Sequence, residues 1–309
     1  MLQVIQGATS DTLAELHFKW PDAPSDLMAR LSAKGPFCRW ARTLPARFAF
    51  EQIRDGWWRT QIVDPCFWSP DYPGVYRLEI DGQPIVQQET TADLPTEIAV
   101  RRFGARGNQL FWNGKRCVLR GQLATNLTDG DHATDTSDTN ESLWTTAYRE
   151  LMLGRIDSRY CPTRAAIATR DGVWLGLRID AADHWQSQLQ QITKSPALIL
   201  VVLPGSANID AQELAELAPN VLKVADLTNL DLESAPDWCD AILIDGFALS
   251  NVEKPPQDFT KPVLVYSQFT TATAPADIRS RCEQLQARLA PAWTLNGYLS
   301  QPITASSST

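Results

Sequence analysis

The chain has 309 residues, of which 44% are hydrophobic and 21% charged, and its formal net charge is −8. That length suits two ordinary domains with sizeable cores. The acid excess argues against a nucleic-acid partner, which needs clustered Lys and Arg, and no apolar run approaches the ~18 residues of a membrane-spanning helix. Residues 1–6 show no basic segment followed by an apolar one, so no export signal is read and a cytoplasmic location is favoured. The six cysteines, at 38, 66, 117, 161, 239 and 282, include no C-x-x-C pair and read as reduced, structural thiols.

From the start of the chain, short β-like runs recur: Leu2–Ile5, Leu13–Trp20, Leu27–Ser32, Phe37–Ala41, Phe48–Ile53 and Trp58–Val63. Pro21-Asp22, Gly35-Pro36, Pro45 and Asp55-Gly56 separate them, a spacing that predicts a β-sandwich. Val75–Ile80 and Pro84–Glu89 then flank Asp81-Gly82, a strong hairpin signal. Glu97–Arg102, Asn108–Trp112 and Lys115–Leu119 follow, the last two joined by a second such turn at Asn113-Gly114. Trp40, Trp57, Trp58 and Trp68 have two readings, a sugar-stacking platform or sandwich core and edge packing, the second being the commoner use.

The stretch FWSPDYPGVYRLEI, followed by RRFGARGNQLFWNGKRCVLRGQ, resembles a junction in family 2 glycoside hydrolases. There an immunoglobulin-like sandwich hands the chain to the first strand of a TIM barrel. Trp68-Ser69-Pro70, Pro73, Tyr76, Phe103-Gly104, Arg106, Asn113-Gly114-Lys115 and Arg120-Gly121 stand at matching positions. The resemblance is specific at this junction and architectural elsewhere. The expected fold is therefore an immunoglobulin-like β-sandwich over 1–115 and a reduced (β/α)8 barrel over 116–303, with a disordered tail at 304–309.

Past Val118 apolar runs alternate with amphipathic ones, as such a barrel requires. The predicted strands are Cys117–Arg120, Arg155–Arg159, Val173–Ile179, Ala197–Leu203, Val221–Ala225, Ala241–Ile244, Val263–Tyr266 and Thr294–Leu299. Leu143, Ala147 and Leu151 mark a helix that Gly154 stops, Asp210–Glu213 a capping-box-like start, and Ile278, Cys282, Leu285 and Leu289 a last amphipathic helix. The helices after strands five and six are compressed around Ser234 and Ser250.

Retaining glycosidases need two carboxyl groups about 5–5.5 Å apart, one acid/base and one nucleophile. The resemblance implies glutamates beyond strands four and seven. Here the fourth strand runs into Pro204-Gly205-Ser206, with Ser206 at the acid/base position. The seventh reads Lys261-Pro262 through Tyr266-Ser267-Gln268, and either Ser267 or Gln268 replaces the nucleophile. A hydroxyl or an amide neither protonates a glycosidic oxygen usefully nor forms a glycosyl ester. After Gly121, Gln122-Leu123-Ala124 replaces the family's substrate-contacting residues, while Arg159 keeps an arginine on the second strand.

The barrel rim is expected to hold Arg120, Gln122, Arg159, Asp180, Ser206, Asp226, Asp245, Gln268 and Tyr298. Asp180, Asp226 and Asp245 are candidates for relocated carboxylates, weighed against roles as loop and helix caps. Arg120, Gln122, Arg159, Gln268 and Tyr298 are candidate ligand contacts. His184 is a candidate base or a surface residue. The acidic segment Thr128–Glu141 departs from a calcium-loop pattern and reads as a solvated loop, and Asn126 and Asn140 open glycosylation sequons. No metal or cofactor is expected. Three functions compete: an inactive relative that binds a carbohydrate or a protein partner, a glycosidase with relocated acids, and a structural or assembly subunit.

Overall fold

The computed structural model describes residues 2–85, 94–124, 138–179, 185–192, 194–227, 235–250, 260–269 and 274–302, with backbone alone at 138–143, 187 and 190–192. The N-terminal strands are β1 (Gln3–Thr9), β2 (Leu13–Lys19), β3 (Leu31–Phe37), β4 (Ala46–Ala49), β5 (Glu51–Arg54), β6 (Trp57–Val63), β7 (Val75–Ile80), β8 (Gln83–Pro84) and β9 (Glu97–Ile98). They form two antiparallel sheets, ordered β1-β2-β6-β5 and β4-β3-β7-β8, with β9 paired to β7. Alternation fills the space between them. Ala14, Leu16 and Phe18 of β2 are buried opposite Ile62, Thr60 and Trp58 of β6. Leu31, Ala33, Tyr76 and Leu78 join them in the same core cluster. Both predicted hairpin turns are present: Asp81 and Gly82 have φ of 51° and 79°, Asn113 and Gly114 50° and 77°, the left-handed pair of a type I′ turn.

Several boundaries differ from the sequence-based expectation. Leu27–Ser32 is not one strand, because Ser25–Arg30 forms a short helix, α1, that buries Met28 and passes directly into β3. Phe37 ends β3, so the expected strand Phe37–Ala41 is a turn. Phe48–Ile53 splits around buried Phe50 into β4 and β5, which belong to different sheets. Of Pro84–Glu89 the described part is Pro84 and Ile85, where Pro84 pairs with Glu79 and Ile85 N donates to Leu78 O at 3.1 Å.

A three-stranded sheet follows, β10 (Phe103–Arg106), β11 (Gln109–Trp112) and β12 (Lys115–Cys117). It meets the N-terminal end of the barrel through buried Asn296, whose Oδ1 accepts from Leu110 N at 3.0 Å while its Nδ2 donates to Asn108 O at 2.8 Å. Eight parallel strands then close a barrel: β13 (Leu119–Leu123), β14 (Gly154–Asp157), β15 (Leu175–Arg178), β16 (Leu198–Pro204), β17 (Leu222–Asp226), β18 (Ala241–Asp245), β19 (Val263–Phe269) and β20 (Gly297–Pro302). The helices are α2 (Asp138–Glu150), α3 (Pro162–Asp171), α4 (Trp185–Ile192), α5 (Ala211–Leu217), α6 (Gly246–Ser250) and α7 (Pro275–Leu289). Asp210 caps α5 by accepting from Glu213 N at 2.7 Å, and Ile278, Cys282, Leu285 and Leu289 form the buried face of α7. Strand β13 starts two residues later than expected, because Lys115–Cys117 is used by the β11–β12 hairpin.

Register partners on neighbouring strands share a face. Gly121 pairs with Gly154, and a Cβ at Gly154 would lie 2.0 Å from ring atoms of Trp174. A Cβ at Gly121 would meet that same ring at 3.1 Å. The barrel interior is thus filled near its base by one indole, with two glycines making room for it.

One apolar core runs across the domain boundary. Trp68, Val75, Leu110 and Trp112 belong to the same cluster as the barrel interior and its helices. Trp68 is fully buried, and its Nε1 donates to Thr169 O on α3 at 2.8 Å. A second clasp joins Arg39 to Asp171 at 2.5 Å, and Trp40 Nε1 donates to Asp171 O at 3.3 Å. These contacts favour the packing reading of the tryptophans. Trp58 and Trp68 are buried, Trp40 lies between Arg39 and Arg149, and Arg54 covers Trp57 at 4.2 Å.

Candidate functional site at the barrel mouth

The C-terminal strand ends bring together a polar cluster on the inward face. Arg178 ends β15 and Asp226 ends β17, and they form an ion pair of 2.8 Å across the intervening strand β16. Alternate strands supply one layer of such an interior, which explains why these two side chains meet. Asp245 ends β18 beside Tyr266 of β19. Burial holds the Tyr266 hydroxyl above its ordinary pKa, the negative charges of Asp226 and Asp245 push it the same way, and Arg178 opposes them. The four side chains therefore form one electrostatic unit. Arg178 was not among the expected site residues. The signal for it was an arginine at the end of an otherwise apolar strand, a placement that demands an anionic partner.

Both mouth aspartates have structural employment. Asp226 is 6% exposed and held by Arg178. Asp245 Oδ1 accepts from Phe247 N at 2.9 Å, turning the chain into α6, a capping role open to any Asp after a strand.

The other expected residues scatter. Ser206 lies two residues past β16 and is exposed. On β19, Ser267 is half-buried and Gln268 exposed, and Gln268 shares the inward parity of Tyr266. Arg159 is exposed beyond β14. Arg120, Gln122 and Tyr298 do not share the rim. Arg120 is the second residue of β13 and its Nη2 donates to Gln286 Oε1 on α7 at 2.6 Å. Gln122 accepts from Tyr148 OH on α2 at 2.5 Å, so it also faces outward. Tyr298 pairs with Arg120 near the start of β20 and is 2% exposed. All three have the outward parity of β13 and β20, opposite to that of Gly121 and Leu299. Asp180, His184, Asn126, residues 128–137 and the tail 304–309 lie outside the described residues, as does the side chain of Asn140.

Outside the interior, Asp157 is 8% exposed and accepts from Arg155 Nε and from Arg164 Nη1, the latter at 3.2 Å. This arrangement fixes α3 against β14. Among the described residues no group of three or more His, Cys, Asp or Glu is placed to hold a metal ion, and no helix is long and apolar enough to cross a membrane. All six cysteines are free.

Neither a family model nor a curated protein sequence matches the chain. Solved structures do match it in fold. The β-glucuronidase of Parabacteroides merdae aligns with a TM-score of 0.60 at 12% identity, covering 97% of this chain and 46% of that one. The β-glucuronidase of Bifidobacterium dentium, complexed with coumarin-3-O-glucuronide, gives 0.62 at 10% identity, covering 97% of this chain and 60% of that one. A Faecalibacterium prausnitzii β-glucuronidase gives 0.62 at 13% identity, covering 96% of this chain and 58% of that one. This chain therefore has the fold of family 2 glycoside hydrolases, a β-sandwich followed by a TIM-like barrel, as the junction residues implied. It spans only about half the length of these structures, between 46% and 60%.

Proposed function

We propose that this chain, built on the fold of a sugar-cleaving enzyme, binds carbohydrate at its barrel mouth without hydrolysing it. The carrying observation is chemical. The strand ends that would present an acid/base and a nucleophile carry Ser206 and Ser267-Gln268, while the aspartates at the mouth are engaged by Arg178 and by the first turn of α6. A carboxylate tied into an ion pair is a poor general acid, because the pairing favours its charged form. What remains suits recognition: amide, hydroxyl and guanidinium groups at the strand ends.

Gln268 is the exposed inward-parity residue at the end of β19 and is assigned a ligand contact. Losing one neutral hydrogen bond costs about 0.5–1.5 kcal/mol. Gln268→Ala should therefore weaken sugar binding about 2- to 12-fold, measured by isothermal titration calorimetry over neutral and acidic mono- and disaccharides. Arg120→Ala, on the outer face, should leave affinity unchanged. The binding reading fails if no sugar binds, or if Arg120→Ala and Gln268→Ala behave alike.

A further inference from the structure

At the opposite end of the barrel, the seam with the sandwich forms an open pocket of about 240 Å³. Gln6, Arg101, Gly104, Asn220 and Asp240 contribute to its lining. Arg101 is 7% exposed. Its Nη1 donates to Pro196 O and its Nη2 to Asn220 O, both backbone carbonyls of the barrel. Gln6 brackets its backbone, accepting from Arg101 N at 2.8 Å and donating to Arg101 O at 2.6 Å. Asn220 in turn donates from Nδ2 to Val4 O at 2.6 Å.

Among the described residues no carboxylate pairs with this guanidinium. Asp240, the acid on the lining, is occupied by Lys223, accepting from its N–H at 2.9 Å and lying 3.9 Å from its ammonium. A buried cation satisfied by carbonyl dipoles alone has lost its hydration without gaining a counter-charge, an expensive state. Burial lowers its pKa to about 9, with no neighbouring anion acting against the shift. A guanidinium offers five N–H donors in a planar fork, a shape matched to oxyanions. Carbonyl bonds to Nη1 and Nη2 leave donors over, beside a polar pocket of small-molecule size.

We propose that this seam pocket is a binding site for a small oxyanion, inorganic phosphate or sulfate or the carboxylate of a small acid, seated on the free donors of Arg101. The site is separate from the barrel mouth and does not depend on the reading given for it. An anion there would tie the segment between β9 and β10 to the loop entering β17, stabilising the joint between the domains.

The test uses the intact chain, titrated with inorganic phosphate, sulfate and acetate at constant ionic strength set by sodium chloride. Melting temperature and calorimetric heat are the readouts. A saturable response is expected, with the melting temperature rising by a constant step per tenfold anion concentration above the dissociation constant. Because Arg101 also joins the domains, the deciding variant is Gly104→Asp. Gly104 lines the same pocket, and an added Cβ there meets no atom within 4 Å, so the new side chain starts in open space. Gly104→Asp should fold, supply the missing charge itself and abolish the anion response. Tighter binding of phosphate or sulfate assigns an inorganic oxyanion, and tighter binding of acetate assigns a carboxylate ligand. An adventitious ion only, seen as equal responses to every salt including chloride, would overturn the proposal. So would an undiminished response in Gly104→Asp.

Discussion

Gly154→Ala is expected to destabilise the chain by about 3 kcal/mol or more, at the upper end of what overpacking costs. The added Cβ would sit 2.0 Å from two ring atoms of Trp174, which is 3% exposed inside the barrel. Neither partner can give way easily: the indole is enclosed, and a Cβ at neighbouring Gly121 would already lie 2.3 Å from Gly154 O. The double variant Gly154→Ala with Trp174→Leu should recover part of the loss, since the smaller side chain vacates the contested space, giving a non-additive cycle. Urea denaturation followed by circular dichroism reads both effects. A Gly154→Ala change within about 0.5 kcal/mol of the parent, the size of an ordinary surface substitution, would mean the indole does not fill the barrel base.

The second large effect concerns the joint between the domains. Trp68→Ala should cost about 3–5 kcal/mol, the range for deleting a fully buried tryptophan. The ring lies 5.8 Å from that of Trp112, within a cluster spanning the sandwich edge and the barrel core. Trp68→Phe keeps most of the apolar contact but leaves Thr169 O without its donor, an omission worth about 1–3 kcal/mol. If the seam is one cooperative unit, parent and Trp68→Phe should each unfold in a single transition. Trp68→Ala should separate into two, with the sandwich and barrel melting apart. A Trp68→Ala protein that keeps a single transition and parental stability would contradict the shared core.

Local signals were legible in the sequence wherever a short segment decides its own conformation. The Asp81-Gly82 and Asn113-Gly114 turns, the Asp210 cap and the apolar stripe of α7 depend on residues a few positions apart. The change from period two to alternating strand and helix exposed the barrel, and the junction residues suggested its relatives. Strand ends were less legible because neighbours compete for the same residues. Cys117 pairs with Leu110 in the hairpin rather than starting the barrel, and the parity of β13 and β20 turns Arg120, Gln122 and Tyr298 outward. Leu27–Ser32 reads as a strand, yet Met28 packs in the sandwich core from a helix. Least legible were pairings across long sequence separations. Nothing local to Arg178 names Asp226, and nothing local to Arg101 names the carbonyl of Asn220.

The central proposal is that this barrel binds sugar without cleaving glycosidic bonds. The most direct measurement is turnover of a panel of aryl β-glycosides, β-glucuronides and β-galactosides included, by the parent chain and by Asp226→Asn and Asp245→Asn. The account predicts that none of the three proteins releases the aryl alcohol above the uncatalysed rate. Release by the parent that either substitution abolishes would contradict it, and would assign the mouth aspartates the roles that Ser206 and Gln268 cannot fill.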